Sequence, residues 1–206
     1  MRDFVGDPEF PIWLIGDSPP EAWADKLDTP LDPRHPARHS IWTSVADTMQ
    51  DRLYRLKRLR LDTSRLYIRN ASDKPLKEPI PREQIDSMRE MLKGLLDIYR
   101  PALILTFGVN AFMITQLACG EDVSFKAATA ELLGIQFRTR IERWDDDRIN
   151  IVPLLHASIA RRMFLQAHKY FVGDTENTPP NYFDYVGEKL AILLLEKLRD
   201  KPIWIR

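Results

Sequence analysis

An α/β fold, a three-layer αβα sandwich around a mostly parallel central sheet of about four strands, is what this sequence predicts. Three observations predict it: short apolar runs bounded by turn residues, amphipathic stretches between them, and a length of 206 residues that suits one substantial core. The runs fall at 11–15, 66–68, 102–107 and 149–155. Each lacks polar alternation, the pattern of a strand buried on both faces of a parallel sheet.

The helical stretches follow in order. Residues 41–59 place Trp42, Val45, Met49, Leu53 and Leu56 at three- and four-residue steps. Residues 81–99 follow Pro79 and Pro81 and carry Ile85, Met88, Met91, Leu92, Leu95 and Leu96 on one face. Further helices are expected at 111–118, at 159–170 and at 182–198, the last rich in Leu and Ile and placed to cap the core. Residues 134–146 alternate apolar and polar side chains, which predicts a strand paired with the one at 149–155. Residues 17–40 hold five prolines and two histidines and are too long for a passive connection, so they read as an active-site loop. One domain over 1–206 accounts for these elements.

Composition excludes several classes. Hydrophobic residues make up 44% and charged residues 29%, and no apolar run approaches the roughly 18 residues of a membrane span. The start, Met1-Arg2-Asp3-Phe4, has no long apolar segment, so a signal peptide is not expected and a cytoplasmic location is. A single cysteine, Cys119, reads as a small buried hydrophobe and rules out an intrachain disulfide or an all-cysteine metal site. Asp145-Asp146-Asp147 reads as a charged turn. No metal site or cofactor is expected.

Thirty basic residues balance thirty acidic ones, so there is no global footprint for nucleic acid. The balance is uneven locally. Arg52, Arg55, Lys57, Arg58, Arg60, Arg65 and Arg69 face only Asp62 over that stretch. A solvated helix face and a phosphate-contacting stripe both fit this pattern.

In a parallel sheet all strand ends open on one crevice, where ligands bind. Here the strands run into Gly16-Asp17-Ser18-Pro19-Pro20, into Asn70-Ala71-Ser72-Asp73, into Gly108-Val109-Asn110 and into His156-Ala157-Ser158. With only four histidines in the chain, a strand-end His156 stands out as a candidate for chemistry. Structural roles stand beside the functional ones: Asp17 as the N-cap of the turn that follows it, Asn70 as a loop brace, and Asn110 as the cap of the helix after Gly108.

This ordered set resembles the uracil-DNA glycosylase superfamily. Ile12-Trp13-Leu14-Ile15-Gly16-Asp17-Ser18-Pro19-Pro20 is similar to its first motif, a strand followed by Gly, two variable residues and Pro. Leu66-Tyr67-Ile68-Arg69-Asn70 resembles the strand whose terminal Asn reads a flipped base. Pro101 to Ala111 looks like its P-x-x-I-x-x-x-G-x-x-A strand and turn, and Ile151 to Ser158 its second catalytic motif. The resemblance implies DNA as partner and cleavage of an N-glycosidic bond after base flipping. It implies His156, Asp17 and Ser18 as the catalytic set and Asn70, Gly16, Pro19, His35 and Ser158 around the substrate. Arg161, Arg162, Arg34 and Arg38 would contact the nucleic acid.

The chain departs from that pattern in places. Ser18 stands where the superfamily often carries a water-activating Asp or Asn, with Asp17 one residue earlier. His156 is followed by Ala157 and not by Pro, and the base-stacking aromatic leaves His35 or Trp42 as substitutes. The iron–sulfur branch needs four cysteines, so this chain has no such cluster. Two other readings share the residues. One is a glycosylase-like nucleic-acid-binding module without turnover. The other resembles GDS-type serine esterases, with Ser18 as nucleophile, His156 as base and Gly108-Val109-Asn110 as oxyanion element. In that family an Asp three residues before the His orients it, and here that position is Pro153.

Overall fold

A computed structural model describes residues 3–32, 34, 42–77, 79–123, 129–156, 164–173 and 181–205. Its centre is a five-stranded mixed sheet of β1 (Phe4–Val5), β2 (Ile12–Gly16), β3 (Tyr67–Asn70), β4 (Leu103–Phe107) and β5 (Asn150–Leu154), in the spatial order β1-β3-β2-β4-β5. The four longer strands are parallel, as the sequence predicts. Two-residue β1 was not expected and runs antiparallel on the β3 edge, with Phe4 opposite Arg69. Six helices accompany the sheet among the described residues: α1 (Thr43–Lys57), α2 (Arg82–Tyr99), α3 (Val109–Ala118), α4 (Ala130–Glu142), α5 (Phe164–Val172) and α6 (Tyr182–Lys197).

Alternate strand residues face opposite sides of a sheet, and here both sides are covered. Ile12, Leu14, Leu103 and Leu105 pack with Val45, Met49 and Leu53 of α1, Leu133 and Phe137 of α4, Phe171 of α5 and Val186, Leu190 and Leu194 of α6. Trp13, Ile15, Tyr67 and Ile104 meet Met88, Leu92 and Leu96 of α2 and Ala111, Ile114 and Ala118 of α3. That double burial is why the strands read as unbroken apolar runs. Pro153 lies in β5, at the sheet edge, where a missing N–H leaves no interior strand unpaired.

The strand expected at 134–146 is a correction. Most of that stretch is helix α4, which begins at Ala130 and is capped by the Thr129 side chain accepting the Leu132 N–H at 3.2 Å. Its alternation came from apolar residues on different faces of a helix, read in a short window. Leu133 and Phe137, four apart, are buried, whereas Ile135 is 45% exposed, the opposite of what a strand would show.

The order of crossovers sets up the site. From β2 the chain moves to β3 on one side, then returns past β2 to β4 and on to β5. The strand order reverses at β2, and a crevice opens there at the carboxyl ends of the strands.

Candidate functional site

The last rung of the sheet pairs Asn70 with Gly16, Gly16 with Phe107 and Phe107 with Leu154. Side chains on one rung point to one face. Asn70 and Phe107 therefore stand on either side of a position without a side chain, and the missing group leaves a hollow. A Cβ on Gly16 would lie 2.5 Å from Asn70 Oδ1, so glycine here is what lets the amide lie over the strand end.

The hollow is the floor of a cavity of about 100 Å³, room for several waters or a small ring. Leu14, Ile68, Phe107 and Trp42 form its apolar walls, and Asn70, Arg69, Asp17, Ser18 and His156 bring polar groups to it. Phe107 and Trp42 meet edge to face at 5.9 Å. The loop after β2 closes it with Pro19, Pro20, Leu27, Pro30 and Asp32.

Asp17 performs a task that local sequence does not show. Its Oδ1 accepts the Ala111 N–H at 2.6 Å, capping α3 from a position 94 residues away in the chain. It is not the cap of the turn that follows it, and Asn110, inside the first turn of α3, is not the cap of that helix. Gly108 has a φ of 96°, and a Cβ there would lie 2.7 Å from Asp17 Oδ2, so glycine is required twice over. A carboxylate at a helix N-terminus is stabilised in its charged form. Asp17 is thus an anchored negative charge in the cavity wall.

Ser18 ties the loop after β2 to the loop after β3, its Oγ accepting the Leu76 N–H at 3.3 Å. Arg69 is buried at the end of β3, where its Nε donates to the Asn70 carbonyl at 3.1 Å and its Nη2 to Asp73 at 3.4 Å. That bond fixes the backbone from which the Asn70 amide projects. Asp32 accepts from the Asp28 N–H at 3.1 Å and from the Arg34 N–H, Nε and Nη2 at 2.9, 2.9 and 2.7 Å. The Arg34 side chain and its backbone N–H hold the Asp32 carboxyl far below the ordinary carboxylate range. Arg34, expected to contact nucleic acid, here braces the loop through Asp28 and Asp32.

His156 follows β5 by two residues and is half-buried in the cavity wall. The strand end before it is fixed from behind. Leu155 N–H donates to the hydroxyl oxygen of Tyr182 at 3.0 Å, and the Tyr182 N–H donates to Nδ1 of buried His168 at 2.6 Å. Burial pushes the Tyr182 phenol far up, so it remains a neutral hydroxyl.

Gly16, Asp17, Ser18, Pro19, Asn70 and His156, picked out from their strand-end positions, thus line one cavity. His35, Arg38, Ser158, Arg161 and Arg162 lie outside the described residues. Sequence reasoning missed Phe107, Arg69, Asp32 and Tyr182. Phe107 carried a usable signal, being the last apolar residue before Gly108 and in step with Leu105.

Among the described residues no three His, Cys, Asp or Glu side chains are grouped to hold a metal ion, and no helix is long and apolar enough to cross a membrane. Burial, with Glu121 adding to it, pushes the Cys119 thiol up to about 12, which makes it a poor nucleophile. No family model and no curated protein matches the chain.

Proposed function

We propose that this chain is a DNA base-excision glycosylase with a uracil-DNA glycosylase-like fold, hydrolysing the N-glycosidic bond of uracil or a related deaminated base flipped into the cavity. The observation that carries the proposal is the convergence of Asn70 and His156 on one small aromatic-walled hollow at the sheet's switch point.

The roles follow from the chemistry. A flipped pyrimidine presents both donors and acceptors, and the Asn70 amide offers one of each in return. Phe107 and Trp42 supply flat apolar surface for the ring. As the bond breaks, negative charge gathers on the base, and His156 donates a hydrogen bond to the oxygen that carries it. Positive charge gathers on the sugar, and the anchored Asp17 carboxylate stabilises it through space. With Oδ1 engaged by the Ala111 N–H, Asp17 acts as a fixed charge. The C–N bond breaks first, water then adds to the sugar carbon, and its proton goes to the departed base. Ser18 has a positioning role.

One second reading is favoured by a specific observation. The capping role of Asp17 and the loop tie made by Ser18 also suit a base-binding module without turnover. The esterase reading loses support, because the nearest carboxylate in the sequence motif, Asp17, caps α3 and position 153 offers none to orient His156.

The deciding experiment is a base-release screen. Oligonucleotides carrying uracil, hypoxanthine or xanthine, single- and double-stranded, are incubated with wild type, Asn70→Ala and His156→Ala. Release by wild type that both substitutions reduce supports the glycosylase. Binding without release on every substrate favours the module, and labelling of Ser18 by an active-serine probe would favour the esterase.

A further inference from the structure

The basic stretch after residue 52 is the sequence feature that the cavity does not absorb, and the fold takes it apart. Arg52 pairs with Glu188 at 3.5 Å, Arg55 with Asp51 at 2.9 Å and Arg65 with Asp7 at 2.7 Å, while Arg69 is buried beneath the cavity. Lys57, Arg58 and Arg60 remain exposed and, among the described residues, have no acidic partner. Residues 53–61 contain no acid at all, in a chain whose charges balance at thirty against thirty.

In the same place Tyr54 is 43% exposed, and the guanidinium groups of Arg58 and Arg60 lie over its ring at 4.8 and 5.2 Å. A helix C-terminus attracts cations, which accounts for Lys57 and Arg58. It does not account for Arg60, which lies beyond the helix, or for the tyrosine beneath both arginines. Arg58 ends α1 in the left-handed conformation, φ 57°, a place ordinarily taken by glycine. Arg100 ends α2 similarly at φ 45° but has no aromatic ring beneath it among the described residues.

We propose that Tyr54, Lys57, Arg58 and Arg60 form a docking surface for single-stranded nucleic acid, separate from the cavity. Guanidinium groups gathered over a tyrosine have planar faces that can stack on a base and N–H edges that can reach phosphates. An acidic peptide would match the charge but not the planes, and a duplex hides its base faces. Only a single strand offers flat bases and a phosphate on every residue. Tyr54 lies twelve residues along α1 from Trp42 in the cavity wall, about 18 Å at 1.5 Å per residue. The surface therefore does not depend on how the cavity is read.

The test is fluorescence anisotropy of the full chain with a labelled oligothymidylate of about 16 nucleotides, beside a duplex of equal length, heparin and polyglutamate. Tyr54→Ala is expected to weaken single-strand binding at least about fivefold and leave heparin binding unchanged, with Tyr54→Phe close to wild type. Arg58→Gln with Arg60→Gln is expected to weaken both polyanions and lower the salt slope by about 1.4. Melting curves report whether each variant folds. Lys57→Glu, at an exposed position, keeps the test open should the arginine variants unfold. The proposal is overturned by single-strand affinity unchanged in Tyr54→Ala and Lys57→Glu, by a duplex that binds equally with the same Tyr54 dependence, or by polyglutamate binding where the oligonucleotide does not. Absence of base release leaves this result untouched, so the two proposals fail separately.

Discussion

Two glycines mark two kinds of close approach in this molecule. At the crossing of α4 and α5, Gly134 lies against the backbone of Tyr170 and Phe171, and Arg138 on the same helix donates to the carbonyls of both residues. At the end of β2, Gly16 lies against the terminal oxygen of one side chain, Asn70. The first contact is backbone on backbone and cannot yield without moving a helix. The second can yield by rotating an amide. The scaffold is thus held by contacts that do not adjust, while the hollow depends on a side chain that would swing away if Gly16 gained a methyl group.

The largest effect should come from breaking that contrast directly. Gly134→Ala forces a methyl group into the Tyr170 carbonyl and should cost about 3 kcal/mol, a fall in Tm of roughly 6–12 °C for a chain of this size. Gly16→Ala should lower Tm far less but reduce base release about ten- to a hundredfold, as Asn70→Ala should, by displacing the proposed hydrogen bonds to the base. Equal thermal losses for the two glycines would show that the Asn70 amide yields no more readily than the α5 backbone.

Asp17 sharpens it, because one carboxylate belongs to both the scaffold and the site. Asp17→Ala should cost about 1 kcal/mol as a lost helix cap. Asp17→Asn keeps an acceptor for the Ala111 N–H and should melt close to wild type, yet release base about tenfold more slowly because the fixed charge is gone. Parallel melting and single-turnover rates separate the two roles.

A smaller effect concerns the loop over the cavity. Asp32 is held below its unfolded value of about 3.9 by the side chain of Arg34, with the backbone N–H groups of Arg34 and Asp28 assisting. A depressed carboxylate contributes stability above its unfolded pKa and loses it as pH falls towards the folded one. Stability should therefore decline below about pH 4, and Asp32→Asn should lower Tm at neutral pH and flatten that acid limb. The smallest effect is chemical: native Cys119, its thiol pushed up to about 12, should resist a disulfide reagent at pH 8 and react once denatured.

The parallel sheet was legible because residues such as Ile12 to Ile15 are buried on both faces and leave unbroken apolar runs. β1 was not, since Phe4 and Val5 are too few to form a pattern. Residues 134–146 misled because Ile135, Phe137, Thr139 and Ile141 alternate locally, and only the burial of Leu133 and Phe137 separates a helix from a strand. The cavity residues Gly16, Asn70 and His156 were readable as strand ends. The Asp17–Ala111 cap was not, because its partners are 94 residues apart and meet only when β2 and β4 pair. Arg69 read as one of a basic run, yet β3 turns it inward to hold the Asn70 carbonyl.

The proposed role of His156 is to stabilise a departing base in the hollow that Gly16 leaves beside Asn70. Single-turnover release of uracil from a single-stranded oligonucleotide, measured for wild type and His156→Ala with melting curves alongside, tests it most directly. Release by wild type is expected, with a rate roughly a hundred- to a thousandfold lower in the variant, at nearly unchanged Tm. Equal rates in the two proteins would contradict it.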